Sequence, residues 1–135
     1  MVELTDDERA QIKELGKFVI SGSRKYKKLH MAFIYQEKKG GEIKCCAQGA
    51  AYLEAGLQQS EDVNEDNLWV EYTLPKKYPV LKKQGQWDLP IKVDSPWSIV
   101  EYRHTLQGLI YALNDSSPWS LEQIGDYLLE LSERR

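Results

Sequence analysis

The groups in this chain that could do chemistry are two cysteines, two histidines and a run of basic residues. Cys45 and Cys46 are adjacent, at the start of a predicted helix. A thiol in such a place has its thiolate favoured, and with His30 or His104 as base it could serve as a nucleophile. Cys46, however, shares a helical face with Ala50, Leu53 and Leu57, where cysteine behaves as a small hydrophobe. A buried structural thiol is the favoured reading of Cys46, which leaves Cys45 as the better reactive candidate. Zinc needs three or four ligands at regular spacing, and two neighbouring cysteines with two lone histidines do not supply it. There is no phosphate loop, dinucleotide fingerprint or serine elbow. No catalytic residue, metal or cofactor is therefore assigned.

Binding chemistry is easier to place. Arg24, Lys25, Lys27, Lys28 and His30 surround Tyr26 in a short basic segment, a mixture that can hold phosphate and stack a base. A solvated loop after a helix C-terminus is the favoured reading of the same run. Backbone N–H groups at the start of the Cys45–Gly49 helix could hold an anion, with these lysines adding charge. Asn114 and Asp115 sit at a predicted helix end, where a turn is favoured over a ligand site. Trp119 is a core plug by default and a partner anchor otherwise.

Charge is segregated along the chain. Residues 9–44 carry a local +7, residues 54–71 a local −6 and residues 75–93 a local +4, within a net charge of −3. Such blocks either form a binding surface or touch one another in the fold.

The elements that position these groups are mostly helical, and 135 residues suffice for one domain with a core. The expected fold is a mainly α, single-domain bundle of four principal helices near 5–21, 45–58, 96–114 and 118–133. Thr5 with Glu8 forms a capping box, and Gly22 is the expected left-handed stop. Met31–Tyr35 and Ile43–Cys45, either side of Lys38–Glu42, could form a small hairpin. The alanines and glycines after Cys46 make a slim helix, expected at the centre and crossed by a C-terminal helical hairpin over 95–135. The repeated Ser-Pro-Trp-Ser at 95–98 and 117–120 reads as capping grammar, with Ser120 and Gln123 as an alternative capping box. Residues 58–67 are expected to be an exposed acidic loop, and 68–92 an irregular segment pinned by aromatics.

Cys46-Ala47-Gln48-Gly49-Ala50 and Leu113-Asn114-Asp115, followed by Trp119 and Ile124-Gly125-Asp126-Tyr127-Leu128, carry a resemblance. The chain resembles a loose group of small bacterial and phage proteins of unknown function, over roughly residues 8–57 and 99–131. The resemblance implies a compact, mainly helical domain and no assigned chemistry.

No stretch is apolar enough for a membrane span, and the acidic N-terminus is not a secretory signal. Neighbouring cysteines suggest a reduced, cytoplasmic protein. The leading expectation is a non-enzymatic protein-interaction module, its partner another protein or a second copy. A small-ligand or nucleotide binder using the Cys45 helix and residues 24–28 is the alternative. Nucleic-acid binding ranks last because the chain is acidic, with a pI near 5.5.

Overall fold

A computed structural model of the chain describes residues 2–91 and 104–134. The protein is mainly helical with a small three-stranded sheet. Helix α1 (Asp6–Ser23) leads into strands β1 (Lys27–Lys28), β2 (Ile34–Gln36) and β3 (Ile43–Cys45). Helices α2 (Ala47–Glu54), α3 (Val63–Asp66) and α4 (Val70–Lys77) follow, then a 3-10 turn at Pro79–Lys82. Helices α5 (Leu106–Asp115) and α6 (Leu121–Glu133) close the described part. The first Ser-Pro-Trp-Ser, with Trp97, lies outside the described residues.

The helix starts follow from capping chemistry. Thr5 and Glu8 cap α1 reciprocally, and Ser120 and Gln123 do the same for α6. The alternative register of the second Ser-Pro-Trp-Ser is thus the one used. Ser117 is buried, its hydroxyl donating to the Leu113 carbonyl at 2.6 Å.

Several boundaries differ from expectation for identifiable reasons. Gly22 is not a left-handed stop. It lies inside α1, where an added Cβ would come 2.7 Å from the Ala50 Cβ, so it is small to let α2 approach. The Cys45 helix is shorter than 45–58. Cys45 is taken by β3, Cys46 is the N-cap, and Gly56 at φ +74° stops the chain soon after Glu54. One helix across 96–114 is ruled out by Thr105, which is extended (φ −138°, ψ 157°), caps α5 and bridges to Gln84.

The four-helix count also fails, because α3 and α4 are added and the C-terminal pair is not a self-contained hairpin. Helix α6 packs chiefly on α1, and only slightly on α5. Gly125 admits α1 there: a Cβ on it would stand 2.5 Å from Ile20 Cγ1 and 2.9 Å from the Gly16 carbonyl oxygen. The slim helix α2 lies chiefly against α1 and also touches α4 and both C-terminal helices, α5 and α6.

The hairpin forms in the register Ile34 to Cys45, Tyr35 to Lys44 and Gln36 to Ile43. Strand β1 adds to β3 in parallel, giving the order β1-β3-β2. Residues 58–67 are not simply an exposed loop. Val63 and Asp66 are buried, and Asp66 accepts the Tyr52 hydroxyl at 2.8 Å and the Gln59 and Ser60 amides at 2.8 and 3.1 Å. That satisfies a carboxylate with no solvent exposure at all. Asn64 and Asn67 then fasten α3 to β2. Asn64 accepts the Gln36 amide and donates to the Gln36 carbonyl, both at 2.8 Å. Asn67 accepts the Phe33 and Ile34 amides at 3.0 and 2.8 Å.

One apolar cluster joins these elements, from Ile12, Leu15 and Val19 through Tyr52, Leu74 and Trp87 to Leu109, Leu113, Ile124 and Leu128. Among the described residues no helix is long and apolar enough to cross a membrane.

Candidate functional site

Five of the residues singled out from the sequence meet around the start of α2. Asn114, on the last turn of α5 and 2% exposed, accepts the Ala47 amide at 3.1 Å. Its Nδ2 donates to the Leu29 carbonyl at 2.8 Å and to Asp115 Oδ1 at 2.9 Å. The same Asp115 oxygen accepts the Met31 amide at 3.0 Å and holds Met31 in the left-handed region at φ +64°. Lys28 reaches the carbonyls of Ser117 and Trp119. Burial lowers the Lys28 pKa, and the nearby Asp115 charge offsets part of that fall. Gly49 completes the junction, since a Cβ there would lie 2.1 Å from the Phe33 carbonyl oxygen.

These contacts clip α2, α5 and the β1–β2 connection together. Asn114 is therefore a buried cross-link and not a turn residue. The donors at the α2 N-terminus are occupied. Ala47 N–H is bound by Asn114, and Gly49 N–H points at the Cys46 sulfur at 3.4 Å. An anion would have to displace both partners.

The thiols are not activated. Cys45 has no solvent exposure and Cys46 5%. Burial, with Cys46 and Glu54 nearby, pushes the Cys45 thiol far up, and burial raises Cys46 to about 12 despite the amides that favour its thiolate. Cys45 is thus corrected from reactive candidate to core residue. His30 and His104 are both exposed, whereas both thiols are buried. Among the described residues no group of three or more metal-ligating side chains comes together. A cavity of about 240 Å³ lies over Cys46, lined by Met31, Ala32, Phe33, Tyr111 and Asp115. It presents aromatic walls and one carboxylate, and no nucleophile in a reactive state.

The basic segment disperses instead of forming a patch. Lys25 pairs with Glu54 at 3.0 Å, and Lys27 with Glu42 at 3.5 Å. Burial alone would raise the Glu54 carboxyl. Hydrogen bonds from Ser21, Lys25 and Tyr26, with the Lys25 charge, outweigh it and hold the pKa below its ordinary value. Arg24 is exposed at the C-cap of α1. Trp119 is half-buried and meets Tyr127 edge-on, ring centroids 5.9 Å apart.

What sequence reasoning missed lies on α4. Val70 and Leu74 face the core with no exposure, while Leu68, Trp69 and Tyr72 are 73%, 53% and 65% exposed. Tyr72 lies on α4, while Leu68 and Trp69 belong to the turn that leads into it. The segment is apolar on both sides, so the pattern that marks an outer face was hidden in the sequence; the signal was four large apolar residues in five positions from Leu68 to Tyr72. Comparison with protein-family models, curated proteins and solved structures finds no match to this chain.

Proposed function

We propose that this protein is an interaction module that docks another protein on the outer face of α4. The carrying observation is the contiguous exposure of Leu68, Trp69 and Tyr72. Isolated exposed apolar residues are ordinary, but a tryptophan, a tyrosine and a leucine side by side match the anchors that dominate protein interfaces. Val70 and Leu74 anchor α4 in the core directly after Leu68 and Trp69, which limits the entropic cost of ordering the patch on binding. Occupied donors at α2, dispersed lysines and elevated thiol pKa values give a nucleotide site, a nucleic-acid stripe or a thiol enzyme no comparable support.

A photo-crosslinking residue at Tyr72, used in a lysate of the source cell, tests the proposal. A discrete protein adduct is expected, absent when the same residue replaces exposed Lys17 on α1 and lost on adding Trp69→Ala. Equal labelling from both positions, or none from position 72, would remove the reading.

A further inference from the structure

The exposed apolar surface and the cavity over Cys46 are joined by direct contacts. Among the described residues the large exposed apolar side chains come from two segments, Met31 and Tyr35 in one, Leu68, Trp69 and Tyr72 in the other. Asn67 ties the two together by accepting the Phe33 and Ile34 amides at 3.0 and 2.8 Å, and Leu68 follows it directly. Phe33 in turn meets Tyr111, with ring centroids 5.8 Å apart and planes tilted by 53°. Both rings line the cavity. Met31, 81% exposed, lines it too, so an apolar segment lying across this surface passes the opening.

The size of the cavity selects its occupant. At about 240 Å³ it falls short of the roughly 300–1,000 Å³ that houses a small-molecule ligand. It suits one inserted side chain.

The walls select a cation. Asp115 accepts the Met31 amide and the Asn114 side-chain amide on Oδ1 alone, so Oδ2 accepts no hydrogen bond among the described residues. Lys28 is near enough to feel the Asp115 charge, but its ammonium is held by the Ser117 and Trp119 carbonyls. Burial raises the Tyr111 phenol pKa, and the Glu71 and Asp115 charges raise it further, so the potential at this wall is negative. Two aromatic rings beside a carboxylate attract a positive head group by cation–π and charge interactions together, while its alkyl stem covers apolar wall. The Met31 thioether at the rim can adapt to what passes over it.

We propose that the protein docking on this surface inserts a lysine or arginine side chain, flanked by apolar residues, into the cavity over Cys46, with Asp115 as its counter-charge and Phe33 and Tyr111 as its walls. The proposal rests on the reading of Leu68, Trp69 and Tyr72 as a docking face and states what the partner carries there.

A random-peptide library selected on the purified full chain, and counter-selected on Trp69→Ala, tests it. Enriched peptides should share a lysine or arginine with apolar neighbours. For one such peptide, exchanging the basic residue for norleucine should weaken binding about tenfold, and so should Asp115→Asn, which keeps the acceptor for Met31 and Asn114 and removes only the charge. Together the two changes should cost little more than either alone, because they remove the same contact. Urea melts check that D115N folds. Enriched peptides without a basic residue, a basic peptide whose affinity D115N leaves unchanged, or additive losses in the combined measurement overturn the cation site and leave the docking face standing. No enrichment over Trp69→Ala also overturns the cation site, and the docking face falls with it only if position 72 gives no discrete adduct.

Discussion

Replacing Asn114 with alanine should be among the most damaging polar substitutions in this protein. The side chain is 2% exposed and holds the Ala47 amide and the Leu29 carbonyl at once. Ala47 is fully buried, so truncation leaves its N–H without a partner, which costs about 1–3 kcal/mol. The Leu29 carbonyl is only half-buried and can take water, so it adds less. A total of roughly 2–4 kcal/mol is a large fraction of the ~5–15 kcal/mol that holds a domain folded. In urea, with m near ~2 kcal/mol/M, the midpoint should fall by about 1–2 M. Asn114→Asp separates the two halves of the clip. It keeps the acceptor for Ala47 but sets an oxygen where Nδ2 now donates, 2.8 Å from the Leu29 carbonyl and 2.9 Å from Asp115. The charged form of the new carboxyl is disfavoured in the fold, so its folded pKa lies above the unfolded value. Relative stability is then best below the unfolded pKa and is lost as pH rises through the folded one. The deficit of N114D against wild type should shrink on acidification. An N114A midpoint within about 0.5 kcal/mol of wild type, or an N114D deficit that ignores pH, would refute the clip.

Other substitutions test separate contacts. Gly49→Ala should destabilise by about 3 kcal/mol or more in urea melts, because its Cβ meets backbone at 2.1 Å, whereas Gly56→Ala, strained at φ +74° but in open space, should cost only about 1 kcal/mol. Glu54 has a depressed folded pKa, so the stability it supplies is present above its unfolded value near 4.5 and lost as pH falls through the folded one. The advantage of wild type over Glu54→Gln should therefore disappear in acid melts. Cys45 and Cys46 should resist a thiol reagent in the native protein at neutral pH and react only on unfolding, since both are buried and their thiolates disfavoured. Rapid native labelling of either would contradict the packing around α2.

Local grammar was readable and long-range partnership was not. The capping boxes at Thr5 and Ser120 are written within four residues, and the turn at Lys38–Glu42 announces the hairpin that pairs Ile34 with Cys45. Strand β1 is two residues long and gains its place only from β3. Asp66 looked like part of a solvated acidic run because the Tyr52 hydroxyl that satisfies it comes from another helix. Asn114 looked like a turn residue because its partners, Leu29 and Ala47, are far away in the chain. Gly22 reads as a helix stop for the same reason, since whether a glycine stops a helix or admits a neighbour depends on the neighbour, here Ala50. The docking face on α4 was obscured by Val70 and Leu74, apolar residues of the same short helix that point inward.

The asparagines of α3 and its C-cap that bind β2 have a further consequence. An outer strand with bare amides and carbonyls is adhesive, ready to recruit any extended chain in steps of two residues. Here Asn64 offers Gln36 both a donor and an acceptor, as the backbone of a neighbouring strand would, and Asn67 occupies the amides before it. A helix thus impersonates a strand, but one that cannot be extended, because its next residues turn away. The sheet ends on a non-propagating unit, and its tendency to fibrillate is governed by how often α3 lifts off. Anything that loosens the buried Asp66 anchor would expose a sticky rim while leaving the rest of the fold intact, so aggregation should precede global unfolding in an Asp66→Ala variant.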